Sequence, residues 1–208
     1  MQIKDFPNII FDLGGVILNL DYNRTARAFS KLGLPNFQNS FAQLNQSELF
    51  DRYERGECST AEFRNGLRKQ LPSGVTDEQI DNAWNTMLLD VPAERIQLLQ
   101  RLSEQKRLVL LSNTNDLHIT AYKKSLLSAH GINDLSSVFV EQYYSYEVGM
   151  RKPEVRIFEY VLEAQKFKTE ETLFIDDSPQ HIEGAKKTGL NTYHLKATEG
   201  ETILDLFG

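Results

Sequence analysis

The chain has 208 residues, enough for one domain or a domain carrying a modest insertion. Hydrophobic residues make up 40% and charged residues 25%, which suits a globular protein with a real core. The net charge of −6, from 23 Lys and Arg against 29 Asp and Glu, argues against nonspecific nucleic-acid binding and against an anionic membrane, because neither gains attraction from an acidic surface. Cys58 is the single cysteine, so an intrachain disulfide and a cysteine-based zinc site are excluded. The short apolar run near the N-terminus stops at Asp12 and provides neither a signal peptide nor a span. The expected location is the cytoplasm.

In chain order, Ile9-Ile10-Phe11 predicts a first strand, closed by Asp12 and the turn-prone Gly14-Gly15. Residues from about 20 to 90 show no convincing strand and several helical patterns. Ser59-Thr60-Ala61-Glu62 and Thr76-Asp77-Glu78-Gln79 each have capping-box spacing. The expected organisation is therefore a core of residues 1–18 and 91–208, interrupted by a helical cap over 19–90. After the cap, Pro92 opens a helix with Ile96, Leu99 and Leu102 on one face. Leu108-Val109-Leu110-Leu111 is a second strand, ending at Ser112-Asn113, and Val138-Phe139-Val140 a third. Pro153 opens a further helix through Ile157, Val161 and Ala164. Leu173-Phe174-Ile175 is a fourth strand, ending at Asp176-Asp177, with Ser178-Pro179 starting a helix that stops before Gly189; Thr192-Tyr193-His194-Leu195 is a fifth. Continuous apolar strands alternating with helices predict an α/β fold: a doubly wound, Rossmann-like parallel sheet with the helical cap attached.

Three strands end in polar residues: Asp12, Ser112-Asn113 and Asp176-Asp177. Ligands of open α/β sheets bind beyond the carboxyl ends of the strands, so these groups should converge. Carboxylates ~4 Å apart repel by about 4 kcal/mol per pair at an effective dielectric near 20. Either one carboxyl stays protonated or a hard cation is bound; the cation is the less costly answer, and oxygen donors favour Mg²⁺.

Four elements, Phe11-Asp12-Leu13-Gly14-Gly15-Val16, Leu111-Ser112-Asn113-Thr114, Arg151-Lys152-Pro153 and Ile175-Asp176-Asp177-Ser178, together resemble the haloacid dehalogenase superfamily, in its phosphatase branch with a helical cap. The resemblance covers nearly the whole chain. Gly149-Met150-Arg151-Lys152-Pro153-Glu154 and Ser112-Asn113-Thr114-Asn115 are similar to bacterial sugar-phosphate phosphatases, including those acting on glucose 1-phosphate. The resemblance implies a Mg²⁺-dependent phosphatase of small phosphate monoesters in which Asp12 attacks phosphorus and forms an aspartyl-phosphate. It implies that Asp12, Asp177 and the Gly14 carbonyl hold Mg²⁺, with Asp176 binding through water or orienting the ligands. Ser112 and the Asn113 amide would hold phosphoryl oxygens, and Lys152 would stabilise charge in the transition state.

Two positions depart from the family pattern. Gly14 stands where such phosphatases usually carry a general acid, and losing a positioned acid costs about 10²–10⁴-fold. That biases the expected substrates toward activated esters such as sugar 1-phosphates. His181 stands where relatives usually have Asn or Asp, and reads as a partly exposed helix residue without a catalytic role. In the cap, Tyr53-Glu54-Arg55-Gly56-Glu57 is either a loop facing the site, with Arg55 meeting substrate, or a solvated turn. Trp84, Met87 and Leu88 read as cap core, and one of His118 and Tyr122 as pocket-lining. Two other functions fit parts of the pattern. A 2-haloacid dehalogenase shares the aspartate nucleophile but lacks the paired carboxylates on the fourth strand. A non-catalytic phosphometabolite-binding scaffold is compatible with Gly14.

Overall fold

The computed structural model describes residues 2–34 and 48–208; residues 35–47 of the expected helical insertion lie outside the described set. Five strands, β1 (Asn8–Phe11), β2 (Arg107–Ser112), β3 (Glu141–Tyr144), β4 (Thr172–Asp176) and β5 (Asn191–His194), form one parallel sheet in the order β3-β2-β1-β4-β5. β1 lies at the centre, with Phe11 opposite Leu110 on one side and Ile175 on the other. This register brings the ends of β1, β2 and β4 to one edge.

Helices α1 (Tyr22–Lys31), α2 (Glu48–Glu54), α3 (Thr60–Arg68) and α4 (Asp77–Asn85) follow β1. Then come α5 (Ala93–Ser103), α6 (Asp116–His130), α7 (Ser145–Val148), α8 (Val155–Gln165), α9 (Pro179–Lys186) and α10 (Ile203–Phe207). Successive strand residues point to opposite faces. Ile9, Phe11, Leu108, Leu110 and Ile175 pack with Ile96 and Leu99 of α5 and Tyr122 and Leu126 of α6. Ile10, Val109, Leu111 and Phe174 pack on the other face with Phe158 and Val161 of α8 and Ile182 of α9. Burial on both faces explains why these strands are apolar throughout, each large aliphatic side chain contributing roughly 1.5–3 kcal/mol.

A third cluster is built almost wholly from α1–α4: Phe29, Phe50, Tyr53, Phe63, Leu67, Ile80 and Trp84, joined by Leu117 of α6. Both predicted capping boxes are formed, by Ser59 with Glu62 and by Thr76 with Gln79. The two segments joining these helices to the sheet zip together. Asn19 N–H donates to Asp90 O, Leu89 N–H to Asn19 O, and Leu20 pairs antiparallel with Leu88. Among the described residues no helix is long and apolar enough to cross a membrane.

The third strand is displaced from its predicted place. Val138 and Phe139 are buried in the core, but Val140 is 53% exposed and the ladder begins at Glu141. Apolarity there serves the turn packed under the sheet, whereas β3 is an edge strand whose residues are partly polar.

Candidate active site

Asp12 follows β1, and its N–H donates to Ile175 O at 2.9 Å, so the backbone ladder with β4 holds it in place. Lys152 comes from the loop before α8 and is fully buried. Its Nζ lies 2.8 Å from Asp12 Oδ1 and 2.6 Å from Asp176 Oδ2. The side-chain amide of Asn113 grips the Lys152 backbone at two points: Nδ2 donates to Lys152 O at 2.8 Å, and Oδ1 accepts from Lys152 N at 2.9 Å. Gly184 of α9 supports the same loop, since a Cβ there would come within 2.3 Å of Pro153 O.

Asp176 Oδ1 also accepts from Ser178 N at 2.7 Å, and His181 Nδ1 lies 3.0 Å from both carboxylate oxygens. His181 is a partly exposed helix residue, as the sequence suggests, and it also contacts Asp176. Its side chain is 18% exposed and hydrogen-bonds Asp176, because the first turn of α9 folds residue 181 back over the end of β4. With its lysine, serine and histidine partners, Asp176 is saturated. Asp177 remains open: it lines a cavity of about 370 Å³ together with Asp12, Gly14, Ser112 and Asn113. Gly15, at φ 75°, lets Asp177 approach, since a Cβ there would stand 2.1 Å from Asp177 Oδ2.

These contacts set the charges. Burial pushes the Asp12 carboxyl up, opposed by Lys152. Burial pushes Asp176 the same way, but Lys152 and His181 outweigh it and hold it below the usual carboxylate range. Burial would lower the Lys152 ammonium, yet Asp12 and Asp176 raise it. Asp177 is pushed up to about 7 by burial, then by the charges of Asp12 and Asp176. Three carboxylates share one ammonium here, so the site favours an added cation. Asp12, Asp176 and His181 have donor atoms within 4.8 Å of one another, but the Lys152 ammonium already bridges the first two. Asp177 lines the same cavity as Asp12 and is not bridged by that ammonium.

The helices of residues 19–90 form the opposite wall. Leu20, Tyr22, Glu54, Trp84, Met87 and Leu88 line the cavity, joined by His118 and Arg151. Of the Tyr53–Glu57 segment it is Glu54 that faces the cavity; Tyr53 is buried among aromatic rings and Arg55 pairs with Glu154. Trp84 belongs to both cap core and wall, with its indole stacked on His118 at 4.8 Å. His118, not Tyr122, reaches the cavity; Tyr122 lines a separate apolar cavity of about 120 Å³. Asn115 Oδ1 accepts from His118 N and Trp84 Nε1, which turns its NH₂ toward His118 Nδ1 and makes that nitrogen the acceptor. Burial pushes the His118 imidazolium down to about 4. Sequence reasoning missed Tyr22, which carries no motif, and within Tyr53–Glu57 it singled out Arg55 where Glu54 lines the cavity.

A parallel sheet with acidic residues and a lysine meeting at its carboxyl edge, roofed by helices, defines a class of hydrolase. The family model described as haloacid dehalogenase-like hydrolase matches residues 6–189, and the chain belongs to that family. It is 31% identical to a D-ribitol-5-phosphate phosphatase of Bacteroides thetaiotaomicron, over 89% of this chain and 90% of the relative. It is 26% identical to a phosphatase of Mycobacterium tuberculosis, over 89% and 85%. Among solved structures, a haloacid dehalogenase family enzyme of B. thetaiotaomicron, in an aspartate-to-alanine form complexed with magnesium and inorganic phosphate, matches with TM-score 0.86 and 38% identity, covering 92% and 95%. A dehalogenase at 16% identity and TM-score 0.62 shares the fold alone.

Proposed function

We propose that this enzyme hydrolyses small sugar or polyol phosphates through an aspartyl-phosphate formed on Asp12. It is a haloacid dehalogenase-like phosphatase, and its cofactor is Mg²⁺. The observation that carries the reading is the Lys152 ammonium held between Asp12 and Asp176, with Asp12 and Asp177 lining one cavity. The oxygens of Asp12, Asp177 and the Gly14 carbonyl are the donors we assign to Mg²⁺, a set suited to a hard cation. Bound there, the ion would offset the carboxylates and draw charge from the phosphoryl oxygens.

The Asp12 carboxylate attacks phosphorus, the bond to the leaving oxygen breaks, and that oxygen takes up a proton. Water then attacks the same phosphorus, releasing phosphate and restoring the carboxylate. Lys152 neutralises charge on the transferring group, while Asn113 positions it through the backbone grip. The Ser112 hydroxyl and the Asn113 amide are assigned to the phosphoryl oxygens, and Asp176 to orienting Lys152. Residues 1–18 and 91–208 supply this chemistry, and 19–90 cover it. The single cysteine, buried and free, agrees with a cytoplasmic enzyme.

The test is turnover of a panel of sugar and polyol phosphates with Mg²⁺. Activity should vanish in EDTA and in Asp12→Asn, and an acid-quenched reaction should contain hydroxylamine-labile phosphoprotein. Turnover that survives in EDTA or in Asp12→Asn would overturn the reading.

A further inference from the structure

The wall facing Asp12 carries two charged side chains among the described residues lining the cavity, Arg151 and Glu54. Arg151 is the only arginine or lysine among the described residues lining the cavity. Both of its terminal nitrogens are taken: Nη1 pairs with Asp51, and Nη2 lies 2.8 Å from Glu54 Oε2. Among the described residues of 19–90, the Glu54 carboxyl and the Tyr22 phenol line the cavity, besides the indole of Trp84. Glu54 is side-chain 26% exposed, and its Oε2 is buried without a hydrogen-bond partner, since Arg151 sits off the line such a bond needs. Burial pushes the Glu54 carboxyl up, only partly offset by Arg151; the carboxylate is placed by its 2.8 Å ion pair with the Arg151 guanidinium. Tyr22 is 57% exposed yet lines the cavity, and its phenol hydroxyl can donate. Leu20, Trp84, Met87 and Leu88 complete the wall with apolar surface.

We infer that Glu54 is the specificity-determining residue that restricts this phosphatase to uncharged, hydroxyl-bearing leaving groups, accepting hydrogen bonds from their hydroxyls and repelling a carboxylate or second phosphate. This rests on the phosphatase reading and names its substrate class. A carboxylate on the leaving group would face Glu54 with no unengaged arginine or lysine on the wall to receive it. An unpaired like-charge contact at partial burial is worth on the order of 10- to 100-fold in discrimination. Hydroxyls suit the wall instead, since the carboxylate accepts and the phenol donates.

The experiment compares ribitol 5-phosphate with ribonate 5-phosphate, which differ only in a terminal CH₂OH replaced by a carboxylate. p-Nitrophenyl phosphate turnover, dependent on Mg²⁺ and Asp12, is measured first; without it the phosphatase reading itself fails, and this inference with it. Given that turnover, the wild-type enzyme should favour the neutral substrate in kcat/KM by about 10-fold or more. Glu54→Gln should raise KM for ribitol 5-phosphate several-fold and lower it for ribonate 5-phosphate, bringing the ratio toward one. Tyr22→Phe should weaken both alike and leave the ratio unchanged. A wild-type ratio near one overturns the proposal with no variant needed, and so does an undiminished ratio in a folded Glu54→Gln protein.

Discussion

On the sheet side of the cavity, Asp12, Lys152 and Asp176 are buried, and each is held by several bonds to backbone or to one another. On the helical side, the wall is mainly apolar and is fastened to the sheet side by partly exposed ion pairs, Arg151 with Asp51 and Glu54, and Arg55 with Glu154. Phosphoryl transfer needs charges fixed to a fraction of an ångström, which strand ends provide. Selection among leaving groups tolerates a softer wall. The two walls thus meet two demands with different materials.

The sharpest break should come on the sheet side. Asp12→Asn is expected to reduce Mg²⁺-dependent turnover by at least about 10³-fold, with the melting temperature retained because Lys152 keeps Asp176 as a partner. Lys152→Met should lower stability by about 3–5 kcal/mol, since it leaves Asp12 and Asp176 buried without their ammonium. Urea denaturation measures this, and added Mg²⁺ should restore part of the loss. An unchanged midpoint would show that the pair is not balanced as described.

The contact between the helical wall and α6, where Trp84 stacks on His118, should answer to pH. With His118 pushed to about 4 against the ordinary 6.5, it is neutral above 6.5 in both folded and unfolded chains. Between those values only the unfolded chain takes the proton, so stability should fall as pH drops through this window and level off below it. The loss is about 3 kcal/mol at most, and His118→Gln should flatten the pH dependence of the denaturation midpoint.

Gly15→Ala should cost about 1–3 kcal/mol through its left-handed backbone and also weaken Mg²⁺ binding, read by titration, because the methyl displaces Asp177. The smallest effect on folding is expected at Gly14, where an added Cβ meets only the flexible end of Leu20 at 2.6 Å and the backbone is not left-handed. Gly14→Asp should fold normally and raise turnover of alkyl phosphates more than that of p-nitrophenyl phosphate, since it restores a proton donor where protonation of the leaving oxygen matters most. Equal changes on both would show that another group already supplies the proton.

Asp12, Ser112 and Asp176 were legible because each ends or follows a strand whose apolar run is visible, and sheet geometry sends such ends to one edge; Lys152, in the loop before α8, was legible only through the Arg151-Lys152-Pro153 motif. Helix starts were legible for a similar local reason, as the boxes at Ser59 and Thr76 show. The shift of β3 was not, because Val138 and Phe139 are apolar for packing under the sheet rather than for the ladder. The contact of His181 with Asp176 was not legible, because it forms only when the first turn of α9 folds back over the end of β4.

The amino-acid sequence by itself determined the α/β order, the family pattern and the residues at the strand ends, all of which follow from short-range periodicity and turn chemistry. Only the tertiary structure decided which member of Tyr53–Glu57 faces the cavity, that Asn113 grips the Lys152 backbone, and that Asp176 is saturated while Asp177 remains open. Those outcomes depend on how helices rotate and dock across tens of residues, where side-chain packing and charge pairing are set by partners that no local spacing encodes.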